Sequence, residues 1–449
     1  MISFPKLLGS PLRFLFQGAL LTATIFQWTL FSQTESSPGQ TPFLKSKQTF
    51  KGTQNISWRF DGNGQFPDIH PPHEWGPGKN ILWKSPLEMG GYSSPIVVKN
   101  KIFVTEEMGS LVCLDLSEGK LLWRKDLFSL NSKDIPSELS KKLMRGCGGD
   151  SKQSTPTPTS NGELVFYINA MGLCACYDLD GNLLWIRIIE TAEDEEHFSA
   201  SPVFDGDRIL LSWGGMLVLD AKSGKTLWKN DAVRTTHGTP LITTIGGEKV
   251  VITPTGNMVR LDTGEVLCSD LFHSTYTTPV VEGNVLYVID SEAQALELPA
   301  KVSKGMQPRS LWKTKLQGTF MASPIYRDSL FYTLENLKCR LHILEAKTGK
   351  LLTFTRIVDA ESGEERIETG RRVDGLKPAH YAYASPVASQ KHLFFFDDAG
   401  NATVLEPGPN GKVVRVNRLG DALSGSPFFI QEKIILRGIK SLYCIGEKP

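Results

Sequence analysis

The stretch SSPIVVKNKIFVTEEMGSLVCLDLSEGKLLWRKDL, Ser93 to Leu127, decides the fold. Pro95 opens it, and proline is tolerated at the first residue of a strand, where the ladder does not need its missing N–H. IVV follows as a short apolar run, the pattern of an inner strand covered on both faces. Asn100-Lys101 turns the chain, KIFVTE alternates as a second strand, and LVCLDL supplies a third. Ser117-Glu118-Gly119 makes another turn, with Gly119 free to take a positive φ. KLLWRKDL is the fourth and outermost strand. Four antiparallel strands joined by short turns make one blade of a β-propeller.

The same order recurs along the chain. A small residue, then Ser or Thr, then Pro, then apolar residues appears eight times, with prolines at 95, 156, 202, 240, 279, 324, 386 and 427. The gaps of 61, 46, 38, 39, 45, 62 and 41 residues give a basal period near 40 with long insertions, as propeller repeats do. The turn-and-Trp ending returns as DLDGNLLW at Asp178 and DAKSGKTLW at Asp220. It decays to LDTGEVLC at Leu261, EAKTGKLLT at Glu345 and PNGKVVR at Pro409. Trp83, Trp123, Trp185, Trp228 and Trp312 fill five of the eight equivalent places, and Cys268, Thr353 and Arg415 the other three. One large flat side chain per unit is expected to pack on the neighbouring blade.

The last unit, from Gly425 onward, supplies only three strands. Its missing outer strand stands far upstream as KNILWKSPL, Lys79 to Leu87. The expected fold is therefore all-β: an eight-bladed propeller of four-stranded antiparallel blades over residues 56–449. An N-terminal strand completes the C-terminal blade, closing the ring and removing two open sheet edges.

Composition agrees with one large closed domain. Hydrophobic residues are 40% and charged residues 22% of 449, enough for an extensive core. The 49 basic and 48 acidic residues nearly cancel, which argues against a nucleic-acid binder driven by a bulk positive field. Seven cysteines in so long a chain do not make a disulfide scaffold. At the N-terminus, Lys6 and Arg13 precede an apolar run from Phe14 to Phe31. Residues 1–31 read as a secretory signal, or, uncleaved, as a membrane tether. Residues 32–55, rich in Ser, Thr, Gln, Pro and Lys, read as a linker. The expected compartment is the periplasm or the exterior.

Candidate chemistry collects where the chain enters each inner strand, because those loops surround the mouth of the central channel. His197, His237, His273 and His380 stand three to six residues before Pro202, Pro240, Pro279 and Pro386. Tyr276, Phe320, Tyr381 and Tyr383 share the neighbourhood. Rings around a funnel suit a planar or anionic ligand. Two or three imidazoles also suit a transition metal, and the same residues fit a hydrated channel with rings packed on adjacent blades. Insertions at 128–153 and 358–383 enter on that face, and long loops on a rigid ring commonly carry recognition. Arg145, Asp150, Arg371, Arg372 and Asp374 are their leading candidates, and Cys147 is the cysteine expected to be exposed. Asp61-Gly62-Asn63-Gly64 lacks the downstream acidic spacing of a Ca²⁺ loop and reads as a turn. The sequence holds no Walker loop, no HExxH and no GxSxG elbow.

CLDLSEGKLLW at Cys113, VLDAKSGKTLW at Val218 and ILEAKTGKLLT at Ile343 resemble the repeat A-x-D-x-x-T-G-K-x-x-W of the pyrroloquinoline-quinone-like (PQQ-like) propeller family. The resemblance runs from about residue 56 to 447 and implies the eight-bladed fold. It is weakly informative about activity, because the shared residues are scaffold residues. Quinone-binding members of the family carry adjacent cysteines over the cofactor and a Ca²⁺ shell with an aspartate base. Here Cys174 and Cys176 are separated by Ala175 and lie in one strand. Non-enzymatic relatives include a periplasmic lipoprotein that helps assemble outer-membrane β-barrels, although no cysteine precedes Cys113 here to carry a lipid. The expected function is non-catalytic binding or scaffolding of a protein or small ligand at the funnel face. A PQQ- and Ca²⁺-dependent dehydrogenase of alcohols or sugars, and a carbohydrate- or cell-wall-binding propeller, are the alternatives.

Overall fold

A computed structural model describes residues 55–107, 109–126, 154–170, 172–189, 199–233, 237–336, 339–356 and 381–448. The expected signal segment, nearly all of the linker, Arg145, Cys147, Asp150, His197, Arg371, Arg372, Asp374 and His380 lie outside them. Every regular element described is a β-strand, and the strands assemble into eight antiparallel four-stranded blades. Blade 1 is Ile96–Val98, Lys101–Glu106, Ser110–Asp115 and Leu121–Asp126. Blades 2 to 7 occupy 159–188, 203–230, 241–268, 280–315, 325–356 and 387–418 in turn. Blade 8 is Phe428–Ile430, Lys433–Arg437 and Ser441–Ile445, with Ile81–Pro86 as its outer strand. That strand pairs antiparallel with the chain's last one, Trp83 opposite Cys444. The closure expected from the sequence is present.

The second unit is shifted from its expected register. STPTP holds two Thr-Pro pairs, and the inner strand of blade 2 begins at Thr159, directly after Pro158. Pro158, not Pro156, is the equivalent of Pro95.

Buried aliphatic faces of neighbouring blades press together to form the core. Phe166, Cys174 and Cys176 of blade 2 meet Leu217 and Leu219 of blade 3 in one such cluster. The tryptophans seal the seams further out. Trp83 Nε1 donates to Leu116 O and Trp123 Nε1 to Leu179 O, both at 3.2 Å. Trp185 and Trp312 donate to Ala221 O and Ala346 O at 2.8 Å. Each indole covers the turn of the next blade, where only glycine fits: Gly119 has φ +69°, and a Cβ there would stand 2.5 Å from the Trp83 ring. Asp115 builds that turn, its Oδ1 accepting the Ser117 and Glu118 amides.

A segment outside the repeat crosses the middle. Ile56 exchanges backbone hydrogen bonds with Ser160 on blade 2, at 2.7 and 2.8 Å. Gln65–Phe66 then adds a parallel strand to the innermost strand of blade 7, Gln65 opposite Ala388. Blade 2 lies across an eight-membered ring from blade 6 and its neighbour 7, so residues 55–66 bridge the channel. The Asp61-Gly62-Asn63-Gly64 stretch makes turns within this bridge, with Asn63 N donating to Asp61 Oδ1 at 3.1 Å. Gly64 leaves room for Arg59, whose guanidinium a Cβ would meet at 2.5 Å.

Candidate functional site

The Ser or Thr before each inner-strand proline faces the axis, and these residues link blade to blade. Ser94 N donates to Thr157 Oγ1, Thr157 N to Ser201 Oγ, and Ser201 N to Thr239 Oγ1, each at 3.1 Å. Thr278 N donates to Ser323 Oγ and Ser323 N to Ser385 Oγ, both at 2.8 Å. Ser385 N to Ser426 Oγ and Ser426 N to Ser94 Oγ, at 2.9 Å, close the circle. Between blades 4 and 5 the contact differs: Thr278 Oγ1 donates to Thr239 O at 3.1 Å. The result is a belt of eight hydroxyl side chains, one per blade.

Extended backbone returns a side chain to the same face every second residue. The residue two before each belt member therefore also faces the channel: Tyr92, Thr155, Ser199 and His237 on blades 1 to 4, then Tyr276, Met321, Tyr383 and Ser424 on blades 5 to 8. Belt and upper tier enclose a cup of about 450 Å³, with Trp58 of the crossing segment lining it as well. That volume falls within the range of small-ligand pockets. The Arg59 guanidinium lies 5.1 Å from the Trp58 ring and is fully buried, donating to Pro324 O at 3.0 Å and Pro386 O at 2.8 Å. Arg59 and Phe60 hold φ of +53° and +71°, a strain that persists only where surrounding contacts enforce it.

Within the wall, Ser199 Oγ lies 2.9 Å from His237 Nδ1. The His237 ring stacks on Tyr276, centroids 4.9 Å apart and planes 26° apart. Burial raises the pKa of the Tyr383 phenol, so it stays protonated at neutral pH. Ser424 Oγ is buried and has no hydrogen-bond partner among the described residues.

Of the residues singled out from sequence, His237, Tyr276 and Tyr383 line this cup. His273 is exposed and outside its lining, and Tyr381 packs against Tyr383, ring centroids 5.7 Å apart and planes tilted by 32°, without lining it either. Phe320 is in the core against His342. His273 is five residues before Thr278 and His237 two before Thr239, so the period of two separates them. The same count, applied to every repeat, would have found Tyr92, Ser199 and Met321. Trp58 carried no such signal, because it belongs to no repeat.

Pyrroloquinoline quinone carries three carboxylates, and burying them calls for cations. Hydroxyls, aromatic rings, a thioether and one imidazole line the described cup, so these residues do not fit it. No group of three or more His, Cys, Asp or Glu placed to hold a metal ion occurs among the described residues. Cys174 and Cys176 are buried and unpaired, and burial pushes the Cys176 thiol up to about 12.

Comparison with known proteins gives the same architecture. An outer membrane protein assembly factor BamB of Alkalilimnicola ehrlichii is 26% identical over 227 residues, 47% of this chain and 52% of its own length. The chain thus matches about half the length of that relative. The crystal structure of BamB from Moraxella catarrhalis has 12% identity and a TM-score of 0.56, covering 82% of this chain and 97% of that one. A quinohemoprotein alcohol dehydrogenase from Comamonas testosteroni has 9% identity and a TM-score of 0.60, covering 90% and 82%. At these identities the two structures show the fold alone. Residues 77–296 and 214–376 match the protein-family model described as outer membrane protein assembly factor BamB, and the chain belongs to that family of PQQ-like propellers.

Proposed function

We propose that the chain is a non-catalytic binding propeller of the periplasm or cell exterior, and that its channel-mouth face takes a protein partner. The observation that carries the reading is the cup: every blade contributes two side chains to one recessed surface, and none of them is a Lys, Arg, Asp or Glu, an arrangement suited to recognition. Relatives described as outer membrane protein assembly factors support a protein as the thing recognised. The basic and apolar N-terminal stretch supports export, with residues 1–31 either removed or kept as a tether.

Two measurements test it. A photo-crosslinking residue at Tyr383, 42% exposed at the mouth, is expected to give discrete adducts with an envelope protein. The same residue at Leu311, 40% exposed on an outer strand, is expected to give none. Calorimetric titration of pyrroloquinoline quinone with Ca²⁺ into the mature chain is expected to show no saturable heat. Tight quinone binding, with turnover of alcohols or sugars, would replace this reading by the dehydrogenase.

A further inference from the structure

We infer that the cup receives an uncharged aromatic side chain, flanked by uncharged backbone, from a loop of the partner. The inference rests on the protein-binding reading above and deepens it. Charge comes first: His237 is the one ionisable group other than the tyrosine phenols in the described lining, so a buried ion would find no opposite charge there. The second observation is the supply of donors. Seven belt hydroxyls each accept one amide N–H. None of the seven donates its own proton to another described residue. Ser424 Oγ adds an unpartnered hydroxyl in the same wall. Peptide carbonyls are acceptors of the kind such hydroxyls meet.

Ring surface is the third observation. The stacked pair His237 and Tyr276 forms one side of the cup, with Tyr92, Tyr383 and Trp58 elsewhere in its lining. Aromatic side chains meet rings in stacked or edge-on geometry and gain beyond the area they bury. A volume of about 450 Å³ holds one such side chain with its flanking peptide groups. A hydrogen-bonding base below an aromatic collar matches a residue with an apolar body and acceptors at its root.

Four small probes separate the terms: N-acetyl-tyrosinamide, which is neutral; tyramine, a cation; N-acetyl-tyrosine, an anion; and methyl glucoside, a neutral sugar. Binding to the whole chain is read by calorimetry and ligand-observed NMR. The neutral amide is expected to saturate, with both charged analogues and the sugar at least tenfold weaker. Tyr276→Ala should weaken it at least tenfold with an unchanged melting temperature. Met321→Lys, which places a cation in the wall, should turn the preference toward N-acetyl-tyrosine. Failure of the amide to saturate, equal binding of all three tyrosine derivatives, or preference for the sugar overturns the inference. So does full binding by Tyr276→Ala, or a charge preference that Met321→Lys leaves unmoved. Crosslinking at Tyr383 that persists while the probes fail removes this inference alone. Absence of adducts from the photo-crosslinking residue at Tyr383 removes the protein-binding reading itself.

Discussion

Arg59 is a fully buried cation. Burial pushes its pKa down to about 9, so it stays charged at neutral pH, held by the carbonyls of Pro324 and Pro386. These belong to the entries of blades 6 and 7, and one side chain ties both to the crossing segment. Arg59→Met leaves two buried acceptors unmet and should cost roughly 2–4 kcal/mol in urea unfolding. Arg59→Lys should recover only part, because an ammonium lacks the planar fork. His342 is fully buried between Phe320 and Phe354, with ring centroids at 5.2 and 4.7 Å. Burial holds its pKa below the usual value. The unfolded chain takes up this proton near pH 6.5 and the folded chain resists it. Stability should therefore fall as pH drops below about 6.5. Melting followed from pH 7 to 5 should show a shallower fall in His342→Phe.

At the scale of the element, the recurring device is a strand whose pairing slips one residue before the tryptophan position. In blade 1, Cys113 pairs with Trp123 and Leu114 with Leu121, so Leu122 is left over. The slip turns Trp123 toward Gly181 of blade 2 and leaves Leu121 and Leu122 in solvent, 61% and 47% exposed. Trp123→Ala should cost about 3 kcal/mol by opening a seam, whereas Leu122→Ser should stay within about 0.5 kcal/mol. Gly224→Ala, at φ +68° with the Trp185 ring 2.4 Å from a new Cβ, should cost roughly 1–3 kcal/mol. Thermal or urea unfolding of the three variants orders them. This level was the most legible in sequence, because proline, turn and tryptophan mark three fixed points in each unit. The second unit misled where STPTP offered two equal starting points, and the strand start at Thr159 together with the neighbouring hydroxyl contacts chooses Thr157.

For the molecule as a whole, closure is made twice. Ile81–Pro86 completes blade 8, and residues 55–66 span the interior from blade 2 to blade 7. A chain begun at residue 88 loses both and exposes the Ser441–Ile445 edge. It should lose a single cooperative transition and self-associate through that edge, as size-exclusion chromatography and urea unfolding would show. Adding a peptide of residues 77–88 should suppress the association. The outer closure was readable because its strand carries the repeat's own Leu-Trp ending, at Leu82 and Trp83. The inner one was not, since a single pass through a channel has no second copy to be compared with. The belt above that crossing has a direction. Seven of its bonds run donor to acceptor in one sense around the axis, and only the Thr239–Thr278 contact runs the other way. Dipoles laid head to tail in a circle cancel across the plane, so most of the rim offers a guest no preferred azimuth. The break lies beside His237 and Tyr276, giving a pseudo-symmetric ring one distinguishable compass point at which a bound group is oriented.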